Sequence, residues 1–532
     1  MIKRKLSCAL LAALLVFQVC GCRAKQTGSS TRTERTTTTK ETTASEQTTT
    51  EETTETSEST TAPSSETSET TTEATETTSA PNVSGDILDR LKTLDRVSSV
   101  EEITTAVSLN QDARKFLITF DMPLDWKNPD AGSFPQRAEF VYVGDDHKNV
   151  FCCDGYMLYE QMLNFIYRCE FAEHLDANYV NVEHRFFGKS VPDGLDTQKL
   201  DYWEYLTAEN AAEDFHFIIS ELKKVLPEKW AFTGASKGGQ LTNMQSHFHP
   251  EDAEAYVALV APGGSDQDAP DFFDFIYNEI GEERFGKDNA KKVRDMVLEF
   301  QVECIKNRDT LAEKYYKNGI DAGCVFTDFT TPDILFDMAV LEFATIFWQY
   351  GSSPDIIEGT LKLKDSDNKQ EYLDALLSAL MYCNTPDVWS NNTEYFPYYV
   401  QAARQNGEHE YDFSFLRKAL EEDGSGASLV VTEDMEKGLL FRMVFTDEQY
   451  KAFTFDDSVY KDMLTWSHTT TKTSIMIYGG ADVWYTVRLP DVTDNPNVHI
   501  YVAKASCHNT MIVSLSPSEQ EEIYDILEKA LA

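Results

Sequence analysis

The stretch AFTGASKGGQLTN, residues 231–243, sets one serine between small residues and glycines, just after an apolar run and just before a helix-like one. Gly234-Ala235-Ser236-Lys237-Gly238 fits the pattern G-x-S-x-G, in which a serine sits on a strand-to-helix turn too tight for bulk on its neighbours. The pattern alone is weak, because small residues crowd many turns. Context strengthens it: residues 229–233 read as a strand and 241–249 as a helix, the setting that a nucleophile elbow requires. A hydroxyl needs a base to take its proton, and the base needs an acid to orient it. Those partners have to come from elsewhere in the chain.

In a sheet built around such an elbow, the acid follows a later strand and the histidine a still later one. Asp482 directly follows TSIMIYGGA, on the loop after a strand at 473–478. His508 follows NVHIYVAKASC, between a strand at 497–503 and a closing helix at 519–531. Taken singly, Asp482 reads equally well as a turn former and His508 as a surface or core histidine. Order and position together make Ser236, His508 and Asp482 the expected triad. The oxyanion is expected on backbone donors: the N–H of Lys237, and the amide of Gly155 or Tyr156. The latter two follow the strand NVFCC at 149–153 and are expected to open a helix capped by Asp154.

Outward from the elbow, apolar runs alternate with helical patterns. Residues 137–143 and 177–183 predict strands, 165–175 a helix, and 208–226 an amphipathic helix with Phe215, Ile218, Ile219, Leu222 and Val225 on one face. Residues 255–261 predict a further strand. This alternation predicts an α/β fold with a mostly parallel sheet covered on both faces. Between 265 and 470 the character changes to long helical segments (291–306, 333–350, 371–382) rich in aromatics. That region is expected to be a helical cap inserted between a first part of the sheet domain, 85–264, and a last part, 471–532.

The first 84 residues carry another message. Lys3, Arg4 and Lys5 precede a short apolar core over 10–19, so residues 1–21 read as a secretory signal. Val19-Cys20-Gly21-Cys22 resembles a bacterial lipobox with cleavage before Cys22, which would then carry lipid; simple cleavage near Gly21 is the alternative. Residues 22–84 form a tether of Thr, Ser and Glu with too little apolar surface to offset its ordering entropy. The expected location is the outer face of a bacterial cell membrane, held by that lipid. A formal net charge of −42 over 532 residues argues against nucleic acid as a partner. Outside the signal and lipobox stand Cys152, Cys153, Cys169, Cys304, Cys324, Cys383 and Cys507. Their spacing matches no zinc pattern, so no metal or other cofactor is expected, while a bridge such as Cys304–Cys324 stays open in an exported chain. Cys507, beside His508, is read as packing.

Several stretches resemble one group of serine peptidases. Leu124-Asp125, Phe134-Pro135-Gln136-Arg137 and Glu183-His184-Arg185-Phe186-Phe187-Gly188-Lys189-Ser190 are similar to motifs of lysosomal Pro-X carboxypeptidase and dipeptidyl peptidase 2, as is Tyr205-Leu206-Thr207 with Glu209-Asn210-Ala211. The serine motif and Tyr478-Gly479-Gly480-Ala481-Asp482 more closely resemble the secreted bacterial prolyl tri- and tetrapeptidyl aminopeptidases. The resemblance runs from about residue 110 to the end and implies an α/β-hydrolase fold with a helical cap. It also implies cleavage after proline near a free peptide N-terminus, with the triad on Ser236, Asp482 and His508. Where those families commonly carry Asp-Pro-Trp, this chain has Asp482-Val483-Trp484, which alters the pocket loop.

Such an enzyme must sense a peptide amine, and burying a cation requires a carboxylate. Glu342 is the one acid in the aromatic stretch 338–350, and Trp348, nearly two turns on, is placed close to the same face. Glu342 is expected to receive the amine, with Trp348 or Trp484 against the proline ring. Pairing of Glu342 with a base inside the cap is the alternative. Two other functions stay in view: an esterase or lipase on the same scaffold, which would want an apolar lid, and a non-catalytic lipid-anchored binding protein, which would have lost a triad residue.

Overall fold

Nine strands form one twisted sheet in the computed structural model, which describes residues 84–108, 113–263 and 271–532. The expected signal, Cys22 and the tether through residue 83 lie outside the described residues. The strands are β1 (Val97–Glu102), β2 (Arg114–Pro123), β3 (Ser133–Tyr142), β4 (Asn149–Cys153), β5 (Asn178–Val182), β6 (Trp230–Ala235), β7 (Ala255–Leu259), β8 (Thr473–Gly479) and β9 (Val498–Ala503). Their order is β1-β2-β3-β5-β4-β6-β7-β8-β9. The first three joins, through β3 with β5, are antiparallel. The remaining five are parallel. This is the α/β-hydrolase arrangement, with β6 and the serine at the centre.

The two-residue period of a strand sorts the core into two faces. Along β8, Met476 and Tyr478 enter one apolar cluster, while Ile475 and Ile477 enter the other with Ile523 and Leu527 of the closing helix. Parallel strands covered on both faces read as continuous apolar runs, and all five residues of β4 are buried.

Helix α1 (Ala208–Lys223) opens on Thr207, whose side chain accepts from Asn210 N–H, and buries Phe215, Ile218, Ile219 and Leu222. It ends three residues before the expected 226, because Pro227 disfavours helical backbone in the residue ahead of it. The helix expected over 165–175 is a correction. Phe165–Ile166 is extended and pairs with Val107–Ser108, leaving a helix only at Glu170–His174. The buried Lys115 ammonium fixes that extension by donating to the carbonyls of Met162 and Phe165.

Between β7 and β8 the described chain has no strand. Helices α2 (Lys237–Phe248) and, past β7, α3 (Lys287–Lys306), α4 (Arg308–Ala322), α5 (Pro332–Gln349) and α6 (Lys369–Cys383) are the long ones. Thr331 caps α5 and Pro332 takes its first turn, where a missing N–H costs nothing. Helix α5 is buried all round against α3, α4 and α6. Its acid Asp337 is held by Arg308 at 3.1 Å and by the amides of Val430 and Val431. All seven cysteines beyond residue 150 are free thiols, so no bridge joins Cys304 and Cys324.

Candidate active site

Ser236 sits at φ 56°, ψ −124°, a strained conformation that turns β6 directly into α2. The glycines of the elbow follow from contact distances. A Cβ on Gly238 would lie 2.2 Å from the carbonyl oxygen of Cys153, so β4 and the elbow can approach only without a side chain there. The turn is tied into the sheet by Ser236 N–H donating to Leu259 O at 2.8 Å.

The structure brings Ser236, His508 and Asp482 together. His508 Nε2 lies 2.8 Å from Ser236 Oγ, and His508 Nδ1 lies 2.7 Å from Asp482 Oδ2. Both partners of the serine are nearly enclosed, with 6% and 3% of their side chains exposed. The carboxylate on Nδ1 selects the tautomer that leaves Nε2 able to accept a proton. The loops carrying the two are laced to one another: Gly480 N–H donates to Ala503 O and Ala481 N–H to Ser506 O. The cap holds the histidine loop as well, because His508 N–H donates to Gln349 O at the end of α5. Cys507 is buried, and its Sγ–H donates to Asn509 Oδ1 at 3.0 Å.

The loop after β4 does not open a helix, which corrects the expected cap at Asp154. It runs as an irregular segment through Gly155, at φ 82°, and Tyr156. Two clamps hold it. Glu183 accepts the N–H of Leu158, the Ser190 hydroxyl and a two-pronged bond from Arg137 at 2.8 and 2.7 Å. The main-chain N–H of His184 donates to Tyr156 O at 2.9 Å. The next residue, Arg185, makes a second two-pronged bond to the fully buried Asp214. The stretch 183–190 therefore builds the floor under the candidate oxyanion loop. Gly155 lies against the elbow, its Cβ direction 2.8 Å from Gly238 N. Lys237 N–H, at the start of α2, has no turn before it to bond.

The three expected substrate contacts separate. Trp484 is half-buried beside the triad, its ring 6.4 Å from His508, 5.5 Å from Phe272 and 5.4 Å from His409. Its backbone N–H donates to Asp482 Oδ1. Trp348 is instead 2% exposed, packed on Gly281, Phe285 and Phe347, and is a core side chain of the cap. The reason is geometric: six residues along a helix turn through about 600°, which leaves Trp348 some 120° from Glu342 rather than on its face. Glu342 is half-buried with Oε2 enclosed and without a hydrogen-bond partner. No ion pair among the described residues joins it to a base. Burial, with the Glu408 charge added, pushes its carboxyl well above the usual range.

Sequence reasoning missed Glu408, His409 and the tyrosines around them. Tyr398 donates to Glu408, and His409 Nδ1 lies 2.8 Å from Glu408 Oε1 while stacking on Phe272 at 3.9 Å. Burial holds the Tyr399 and Tyr411 hydroxyls protonated, and the charges of Glu342 and Glu408 add to that on both. Burial raises the Tyr350 hydroxyl above its ordinary range, and Tyr395, Asp482 and Glu342 add to that. The only signal in the sequence was the Glu-His pair in a cap loop.

Among the described residues one group has metal-type donors: His216, His249 and Glu251. The two imidazoles stack face to face at 4.0 Å and 12°, so their in-plane lone pairs do not converge on one ion.

The model of the PS-10 peptidase S37 family matches residues 80–528. A prolyl tri/tetrapeptidyl aminopeptidase of Streptomyces mobaraensis is 26% identical over 400 residues, 75% of each chain. A lysosomal Pro-X carboxypeptidase of Mus musculus is 30% identical over 126 residues, 23% of this chain and 24% of that one. Among solved structures, a proline iminopeptidase of Mycobacterium smegmatis is similar over 81% of this chain and 99% of that one, at 9% identity and a TM-score of 0.30. With the family model spanning nearly all the described residues, the chain belongs to the PS-10 peptidase S37 family and is a serine hydrolase of the peptidase kind.

Proposed function

We propose that this chain is an exported serine peptidase that releases short peptides from a free N-terminus by cleaving after proline. The observation that carries the reading is the continuous chain from Ser236 Oγ through the His508 ring to Asp482, with hydrogen-bond distances of 2.8 and 2.7 Å, in a family of peptidases. The relative from Streptomyces mobaraensis supports the proline and N-terminal preference.

Ser236 Oγ attacks the prolyl carbonyl carbon while His508 Nε2 takes its proton and Asp482 stabilises the resulting imidazolium. The carbonyl oxygen becomes an oxyanion held by the N–H of Lys237 and a second amide from Gly155–Tyr156. Collapse breaks the C–N bond, and His508 returns its proton to the leaving amine. Water then attacks the acyl-enzyme, with the same histidine as base. Trp484 packs on the proline ring. Glu342, with Glu408 close by, receives the substrate ammonium, which gives its enclosed oxygen a partner. Export and attachment through Cys22 rest on the N-terminal sequence alone.

The test uses alanyl-alanyl-prolyl p-nitroanilide and p-nitrophenyl acyl esters on the wild type and on Ser236→Ala. The wild type cleaves the prolyl anilide with the higher kcat/KM, and the variant loses roughly 10⁴–10⁶ in kcat while keeping its melting temperature. Undiminished turnover by the folded variant rules out Ser236 as nucleophile. Efficient ester cleavage with no anilide cleavage makes the chain an esterase.

A further inference from the structure

Lys237, the residue after the nucleophile, buries its side chain under the elbow: the residue is only 2% exposed. Its Nζ donates to Gly155 O at 2.5 Å and lies over the rings of Tyr156 and Phe187, 5.3 and 4.7 Å from their centres. Burying an ammonium or amine with one carbonyl partner is costly, and methionine would fill the same space without that cost. Nothing in plain packing calls for a nitrogen here.

What the nitrogen touches is one particular peptide unit. In a trans peptide the C=O and the next N–H point in opposite directions from one plane. Fixing Gly155 O therefore fixes the direction of Tyr156 N–H, away from Nζ. The next peptide unit along is held as well, because Tyr156 O accepts from His184 N–H at 2.9 Å. A donor on the carbonyl also polarises the peptide and strengthens its N–H as a donor in turn.

We infer that the Lys237 side chain is a positioning residue for the oxyanion site, holding the Gly155–Tyr156 peptide so that Tyr156 N–H is the second donor to the tetrahedral oxygen. Lys237 thereby serves the site twice, through its own N–H and through the peptide its side chain aims. Burial drives the Lys237 ammonium well below its ordinary range, with Cys153 and Asp154 opposing. An uncharged amine still donates to Gly155 O. The inference rests on the Ser236 acyl-transfer reading but not on proline selectivity, since an oxyanion forms with any acyl substrate.

The experiment compares Lys237→Met with the wild type on a p-nitrophenyl ester and on the prolyl anilide, and measures inhibition by a prolyl aldehyde that forms a hemiacetal with the serine. The expected result is a kcat lower by roughly 10–100-fold on whichever substrate the wild type turns over, with KM within about twofold. Aldehyde affinity falls by a similar factor, and labelling of Ser236 by a fluorophosphonate persists at a reduced rate. Wild-type kcat in the folded variant, or a loss confined to KM, overturns the inference. Loss on the ester with no anilide activity in the wild type would sink the peptidase reading and leave this one standing. A crystal structure of the wild-type aldehyde adduct tests it without any variant. The oxyanion should lie within 3.2 Å of Tyr156 N, with Nζ still on Gly155 O. An oxyanion on other donors, or Nζ swung away, overturns the inference.

Discussion

Glu342 is a carboxylate whose Oε2 is enclosed without a hydrogen-bond partner, on a helix whose buried side chains are mostly apolar. Such a group is stable only with its proton or with a cation. Burial and the neighbouring Glu408 favour the proton when nothing is bound. An arriving peptide ammonium would let Glu342 ionise, so binding of the amine and release of the proton belong together. Glu342→Gln mimics the protonated carboxyl in shape and charge, and the variant should melt at or slightly above the wild-type temperature. Its kcat/KM on a free-amine prolyl tripeptide anilide should drop on the order of 10–100-fold, about 1.5–3 kcal/mol for a charged hydrogen bond. The N-acetylated substrate should be cleaved as before. Equal losses on both substrates would give Glu342 a purely structural place in the cap.

At the scale of elements, what was legible followed from period and punctuation. The parallel strands show as apolar runs because both faces are covered, and each member of the Ser236–His508–Asp482 group stands on the turn or loop that follows one of them. The first two antiparallel strands are not legible: β1 reads VSSVEE, an edge strand with four polar residues, and β2 pairs with it. Residues 165–175 carry a helical pattern that Lys115 overrules from another strand, and Asp154 lies in a loop whose course is set by Glu183 and His184. Glu408 and His409 reach the site through tertiary packing alone, which no local pattern encodes. The motif 183–190 was legible as a resemblance, and its work becomes visible only in the contacts. Gly188 stands at φ 56° with its Cβ direction 2.1 Å from Glu183 Oε1. Gly188→Ala must strain the backbone and push the Glu183 clamp off Arg137, both buried. A loss on the order of 3 kcal/mol or more is expected, with a fall in kcat as the 154–160 loop loosens. Thermal melting in parallel with turnover checks this; a variant that melts with the wild type would mean that the clamp carries little.

For the molecule as a whole, charge and anchoring act together. The chain carries a formal net charge of −42, and among the described residues no helix is long and apolar enough to cross a membrane. Anionic lipid surfaces repel such a protein, so electrostatics offers no second means of attachment. If Cys22 carries the lipid, that group supplies the membrane attachment. Cys22→Ala should move the protein from the membrane fraction to the medium or soluble fraction, with its kcat/KM unchanged. Lowering the ionic strength should not return it, because repulsion grows as screening weakens. A variant that stays on membranes would show another attachment, and a wild type found wholly in the medium would mean simple cleavage of the signal without lipid.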